Sequence, residues 1–528
     1  VALRQAREAI GAVPRWAREL LGAATAVAIA VAVVTAVAAS ARSELLFRDG
    51  DSLVTTLVVR SLAIGQPQDW ALSTVLFLPE TAVLALLTLV GLGITGTLAL
   101  AAIVNFVALY AVLRIAAGAT ARASMPVAGA LLAFSAFGLL AVTETSSSRD
   151  SLEPASLLAV TTYYSATVVA VVLAVGIARR ALDRRLSVVP RGPVVLIGVV
   201  AAASVLTNPL FAAWATVPLG LVLAGAWVVS RSRVALWLIG GLALGTAVGF
   251  VGRMPLAPLI ANTGAGYADP SRWAESLIFY GGLVAERWTM PWGAAAVVII
   301  VALWGWCIAA TALLARRDAG AALVAACGWA MPLLVVIGAI ALGTHAARYL
   351  QPIAFAPILG LVVLPGLLSG LRAHRAEGRY PATSIARTVG ASASVVASIA
   401  LVAVAGAVGA PRMAAAASAP DPDLDCVLSW VEQSGRTGGG QFWTVRLPKA
   451  HLDDPRALVQ VDHRLRGYAW LVNRDDFSVG EVSFLVTDAQ SPAFVLPRGV
   501  RPSATIDCGR YTIHDFGETA LPLGPQRS

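Results

Sequence analysis

Apolar runs long enough to cross a bilayer recur from about residue 20 to residue 410. No soluble fold buries that many. A hydrocarbon core roughly 30 Å thick takes about 20 helical residues, and Ala23–Ala39, Thr95–Leu113, Ser156–Ile177 and Ala321–Leu342 approach or exceed that length. Charged residues make up only 13% of the chain, against about 25% in a typical soluble domain. The pattern predicts a polytopic α-helical membrane protein of about 11–13 spans. The net charge of +9 points to cytoplasmic loops rather than to nucleic acid, because basic residues collect on the inner side of a membrane. Arginine supplies nearly all of it, Lys449 being the only lysine. That bias fits a GC-rich bacterial genome and hence a bacterial plasma membrane.

The basic residues also order the spans. Arg4, Arg7, Arg15 and Arg18 precede the first run and hold the N-terminus in the cytoplasm, and no cleavable signal peptide is evident. Arg42 to about Pro79 then lies outside, with Leu53–Ile64 as a helix in the interface and Trp70 as an anchor. Basic loops at Arg179–Arg191, Arg231–Arg233, Arg316-Arg317 and Arg372–Arg387 alternate with less basic ones, as an inside-positive protein requires. Between the first loop and Arg179 stand four apolar runs, where an odd number of crossings is needed. Phe77–Leu92 is short and contains Pro79 and Glu80, so it is the run expected not to cross. Pro193–Val229, broken at Thr207-Asn208-Pro209, reads as two short spans with a tight turn.

After the last run, Ala391–Val408, the character changes. Residues 1–410 are expected to form a transmembrane catalytic module and residues 411–528 an extracytoplasmic β-rich domain. Gln441–Leu447, Ala457–His463, Tyr468–Asn473, Glu481–Thr487 and Ala504–Asp507 are rich in β-branched and aromatic residues, separated by turn formers. They predict a β-rich domain. Cys426 and Cys508 lie in it, and in an oxidising compartment they would form a disulfide. The alternative is two free thiols. Cys307 and Cys327 sit in apolar runs as packing residues.

Three clusters could carry chemistry. Arg48-Asp49-Gly50-Asp51 follows the first span. Carboxylates beside a bilayer are costly unless solvated, paired or metal-bound. Asp49 and Asp51 could converge on Mg²⁺ or Mn²⁺, or one could act as a general base. The bland alternative is that Asp51 or Ser52 caps the helix from Leu53. Arg149, Asp150 and Glu153 form a second acidic cluster, and Asp150 could complete a metal site. As a bland alternative, these charges only keep the loop in water. His345, Arg348 and Tyr349 sit between two late spans, where an arginine fork could hold a phosphate. There the alternative is a snorkelling arginine beside an interfacial tyrosine. Walker-type loops, Gly-x-Ser-x-Gly elbows, His-Glu-x-x-His and zinc-spaced cysteines do not occur in the sequence.

This layout resembles the GT-C superfamily of membrane glycosyltransferases. That class includes protein O-mannosyltransferases, lipid A aminoarabinose transferases and actinobacterial arabinofuranosyltransferases. The similar features are the first-loop acids Asp49 and Asp51, the interfacial Leu53–Ile64, a later acid at Asp150, the Pro193–Val229 hairpin, Arg348-Tyr349-Leu350-x-Pro352, and an appended β-rich domain. The first-loop acid of the family is often followed directly by another acid, whereas Gly50 intervenes here. The resemblance implies transfer of a sugar from a polyprenyl-phosphate donor to a cell-envelope glycan, lipid or protein on the outer face. Asp49 or Asp51 would then be catalytic, and Arg348, with His345 and Tyr349, would hold the donor phosphate. A transporter or flippase with the same charges lining a path is the alternative, and a non-catalytic envelope scaffold working through its β domain is a third reading.

Overall fold

The structure is a computed structural model that describes residues 14–119, 125–184, 191–262, 265–376 and 399–527. Arg4, Arg7, Arg185, Arg379, Arg387 and the first part of Ala391–Val408 lie outside the described residues. Among the described residues nine helices are long and apolar enough to cross a membrane, and four shorter apolar helices accompany them. The chain is thus a multi-pass helical membrane protein.

In chain order the helices are α1 (Arg15–Ala38), α2 (Val54–Ala63), α3 (Leu78–Thr88), α4 (Gly93–Ala116), α5 (Pro126–Val142), α6 (Ser165–Asp183), α7 (Arg191–Thr207), α8 (Val217–Ser230), α9 (Arg233–Gly252), α10 (Trp273–Thr289), α11 (Gly293–Leu314), α12 (Ala319–Ala341) and α13 (Leu359–Ala376). The span that ends in α13 begins at Ala347. Helix α1 packs on α4 and α5, and α6 packs on α4 and α12, which places α6 at the centre of the bundle. Helices α7 and α9 approach so closely that a Cβ on Gly245 would collide with the Gly198 carbonyl.

Two apolar runs behave differently from a simple span. Helix α3 has 11 residues, about 16 Å at 1.5 Å per residue, too short to cross. The run Ser156–Ile177 is divided: a short 3₁₀ turn covers Ser156–Ala159, and α6 starts only at Ser165. Residues 160–164 stay non-helical because their side chains and carbonyls bond to the polar groups described below.

The last apolar helix runs from Ile399 to Ala417, so residues 411–417 are helical and continuous with the apolar run before them. Beyond it come α15 (Pro422–Ser434) and α16 (Phe442–His451), after α14 (Ala410–Ala417). The expected strand at Gln441–Leu447 is in fact the start of α16. A five-stranded sheet has the order β3-β2-β7-β9-β8. Its members are β2 (Gly438–Gly440), β3 (Leu458–Gln460), β7 (Phe484–Thr487), β8 (Ala504–Cys508) and β9 (Tyr511–Asp515). β2 is parallel to β3 and β7, and β9 is antiparallel to β7 and β8. The domain is therefore mixed α and β. Val427, Val431, Val445, Phe484, Tyr511 and Ile513 form its core. Cys426 of α15 and Cys508 of β8 form a disulfide.

This domain is docked on the first loop. β1 (Trp70–Ala71) pairs antiparallel with β5 (Val472–Asn473), so one small sheet joins residues 400 positions apart. Arg474 pairs with Asp69 at 2.7 Å and Arg48 with Asp421 at 3.2 Å. Arg60 of α2 donates to the Leu452 and Asp453 carbonyls.

Candidate active site

The acidic loop sits at the end of the bundle where the domain docks. After α1 a π-helical turn, Glu44–Arg48, leads into extended backbone at Asp49. Asp51 N–H donates to Asp49 Oδ1 at 3.1 Å, and Tyr163 O–H reaches the same oxygen at 3.3 Å. Asp49 Oδ2 pairs with Arg149 Nη1 at 3.1 Å. Asp51 is more open, its side chain 23% exposed against 11% for Asp49. Among the described residues its carboxylate accepts no hydrogen bond, and Arg149 Nη1 stands 3.9 Å away. Burial, reinforced by the charge of Asp51, pushes Asp49 up to about 6, against the pull of Arg149 and Tyr163. Tyr163 is raised well above its usual range by burial and the two carboxylates, so it remains a donor.

Asp150 is 56% exposed and lies 3.8 Å from Arg348 Nη1 and 4.0 Å from Arg149 Nε. It therefore connects the acidic loop to the late span. Arg348 belongs to the 3₁₀ turn Ala347–Leu350, faces the Tyr164 hydroxyl, and has the Tyr349 ring 5.8 Å from its Cζ. Gln351 donates to the Tyr163 carbonyl at 2.8 Å, and Trp214 to the Tyr349 carbonyl at 3.1 Å. The first bond ties the turn to residues 160–164 and the second ties it to Trp214. His345 packs on Phe279 with ring centroids 5.3 Å apart and makes no hydrogen bond among the described residues. The structure thus brings Asp49, Asp51, Arg149, Asp150, Arg348 and Tyr349 together and leaves His345 aside.

Glu153 also departs from the expectation of an exposed acidic cluster. Its side chain is 0% exposed. Arg42 Nη2 lies 3.2 Å from Oε2, Arg287 pairs with Oε1, and Ser146 N–H donates to Oε2 at 2.7 Å. Glu144 accepts from the N–H groups of Ala155 and Ser156 at 2.9 and 2.6 Å. Burial pushes Glu144 up to about 7, with Arg42 opposing. Two glutamates and two arginines thus pack together and shape the loop that presents Arg149 and Asp150. Arg42 and Arg287 gave no sequence signal, since each looks like an ordinary loop arginine.

The docked domain closes the site from above. Trp443 of α16 lies under the Arg149 guanidinium, 3.7 Å from Cζ to the ring centre. Arg446, one turn further on, is fully buried and donates to the Gly50 carbonyl at 2.6 Å. Burial lowers Arg446 to about 10 despite the nearby Asp51 and Asp49. A Cβ on residue 50 would press on Trp443, Arg446 and Phe442 at 3.1–3.2 Å. A side chain at position 50 would therefore need Trp443, Arg446 and Phe442 to give by a few tenths of an ångström.

Arg149 Nη1 lies 3.1 Å from Asp49 and 3.9 Å from Asp51, and Asp150 lies 3.8 Å from Arg348. No three His, Cys, Asp or Glu side chains converge as a metal site among the described residues. Beside Arg348 a cavity of about 700 Å³ opens, lined by Tyr164, Asn208, Trp214, Phe250, Tyr267 and Tyr349 among others. Its wall is mostly apolar, with three tyrosines and Arg253, whose guanidinium donates to the Val205, Leu206 and Thr74 carbonyls.

No family model matches the chain, and no curated protein matches it. Among solved structures it is similar to the oligosaccharyltransferase of Archaeoglobus fulgidus in its apo form, at 11% identity and a TM-score of 0.40. The match covers 87% of this chain and 69% of that one. Likeness at this level is weak, and the chemistry of the site is read from its own side chains.

Proposed function

We propose that the chain is a membrane glycosyltransferase that moves a sugar from a polyprenyl-phosphate donor to a cell-envelope acceptor. One observation carries the reading: a carboxylate with free oxygens, Asp51, and an arginine, Arg348, share one pole beside a largely apolar cavity. The lipid tail would enter that cavity from the bilayer, its phosphate meeting Arg348 between Tyr164 and Tyr349. The acceptor hydroxyl oxygen attacks the anomeric carbon of the sugar. Its proton passes to Asp51, the bond from sugar to phosphate breaks, and the electron pair leaves on the phosphate oxygen. Arg348 holds that growing charge by charge-assisted hydrogen bonds. Asp49, held by Tyr163 and Arg149, positions Asp51 and sets the charge of the pair. Trp443 offers an aromatic face to the acceptor, and the motif resemblance at Asp49, Asp51 and Arg348 agrees with these roles.

In this reading the pole with the docked domain is extracytoplasmic. The disulfide Cys426–Cys508 suits an oxidising compartment, and Arg179, Arg180, Arg231, Arg233, Arg316 and Arg317 cluster near helix ends in the inside-positive pattern. The test is full-length protein in nanodiscs, supplied with a panel of polyprenyl-phosphate sugars and envelope extract, with released polyprenyl phosphate measured by mass spectrometry. Wild type should release it, and Asp51→Asn should not. Release at the wild-type rate by an Asp49→Asn, Asp51→Asn double variant overturns the reading. Lipid moving between leaflets with its sugar still attached would instead mark a transporter.

A further inference from the structure

A second cavity, of about 330 Å³, lies on the other side of residues 161–167, between α3, α4, α6 and α7. Pro79, Val83, Ala108, Ala170, Leu173 and Val200 make much of its wall apolar. Pro79 and Ala203 of the wall are exposed, so the cavity opens on the apolar flank of the bundle. Two buried polar side chains also line it: Glu80, 6% exposed, and Ser165, 1% exposed. Glu80 Oε2 and Ser165 Oγ both lack a hydrogen-bond partner. Glu80 Oε1 accepts from the Ala166 N–H at 3.3 Å, and no cation pairs with the carboxylate among the described residues. Four other polar groups of the wall are already engaged: Thr161 with Thr55, Thr167 with Asn208, Thr207 with the Leu78 N–H, and Asn105 with the Leu158 carbonyl, while Ser204, 8% exposed, also lines it.

A buried polar atom left unpaired costs about 1–3 kcal/mol, and two in one greasy cavity call for a ligand that answers both. We propose that this cavity is a binding site for a membrane-borne alcohol, a hydrocarbon body with a single hydroxyl head. The hydroxyl donates to Glu80 Oε2 and accepts from Ser165 Oγ, while the chain lies along Val83, Ala170 and Val200 toward the lipid. An ammonium head is disfavoured. The N-terminal ends of α3 and α6 already place positive dipole ends at the carboxylate, and stripping an ammonium of water costs far more than stripping a hydroxyl. The occupant would touch the segment whose opposite side carries Tyr163 and Tyr164. The site stands whether or not the pole transfers sugar, because none of its residues belongs to that pole's chemistry.

The test is photolabelling of the full-length protein in nanodiscs with a diazirine-bearing decanol, the labelled residues being mapped by mass spectrometry. Wild type should show saturable label on the wall helices α3, α4, α6 and α7, displaced by decanol and not by decane. Ser165→Ala and Glu80→Leu should each reduce labelling about tenfold, the loss of one hydrogen bond from the head. Should Glu80→Leu fail to fold, Ala203→Trp, which narrows the opening and keeps the carboxylate, should reduce labelling equally. Labelling unchanged in the variants that fold overturns the site. Displacement by decane as readily as by decanol overturns the role of the head group, and displacement by decylamine at lower concentration than decanol overturns its assignment as a hydroxyl.

Discussion

The loops 42–51 and 143–156 build two charge clusters side by side, from the same kinds of residue and with opposite designs. In one, Glu144, Glu153, Arg42 and Arg287 are sealed from solvent, the glutamates accepting from backbone N–H groups at 2.6–2.9 Å and the arginines donating to carbonyls and carboxylates. In the other, Asp51, Asp150, Arg149 and Arg348 stay partly open, their pairs stretch to 3.8–4.0 Å, and neither carboxylate accepts a hydrogen bond among the described residues. A closed, satisfied cluster fixes shape. A loose, open one next to it has donors and acceptors to give a substrate. Glu153 and Asp150 are three residues apart and fall on opposite sides of that division.

The sharpest way to break the comparison is to neutralise one acid in each cluster. Asp51→Asn should lower kcat about 10²–10⁴-fold and leave the melting temperature nearly unchanged. Glu153→Ala should do the reverse in kind, lowering stability by about 3–5 kcal/mol, read as a fall in Tm of the purified protein in nanodiscs. If Glu153→Ala melts like wild type, the closed cluster does not hold the loop. Next in size is Arg348→Ala, expected to lower kcat about 10²–10³-fold, with partial rescue by lysine if the charge matters more than the fork.

A subtler effect concerns pH. Asp49 titrates near 6 when folded, above the roughly 3.9 of an unfolded chain. The native state therefore binds the extra proton between about pH 4 and 6, and ionising Asp49 opposes folding as pH rises through that window. The same rise charges the pair and should raise kcat/KM, with a midpoint near 6. Arg149→Gln should move that midpoint upward by about one pH unit, because Arg149 draws it down. An unmoved midpoint would detach Arg149 from the acid pair. The smallest effect is on stability: Asp49→Asn should gain in Tm relative to wild type as pH rises from 4 to 7, seen in paired melts.

Much of this was legible in the sequence, for reasons that differ by residue. The spans follow from hydrophobic length, and the brevity of Phe77–Leu92 returns as a helix α3 of 11 residues. The acidic loop and Arg348 stood out because charges are rare in such a chain. What the sequence hid is long-range. Gln441–Leu447 has the β-branched and aromatic content of a strand, yet it is helical, because Trp443 and Arg446 must lie one turn apart to reach Arg149 and Gly50 together. Tertiary contact overrides local preference there. Likewise nothing local distinguishes Glu153 from Asp150, since the difference is made by Arg42 and Arg287, over 100 positions away.

The bond from Arg446 to Gly50 also sets a schedule. It spans 396 positions, so at 5–20 residues per second a ribosome needs roughly 20–80 s to make the partner. During that interval the newborn acidic loop stands without α16 against it and without β5 beside Trp70. The acidic cluster is therefore completed last, only after the apolar helices have been made, and a stalled or clipped chain is left with its acids in place but no roof.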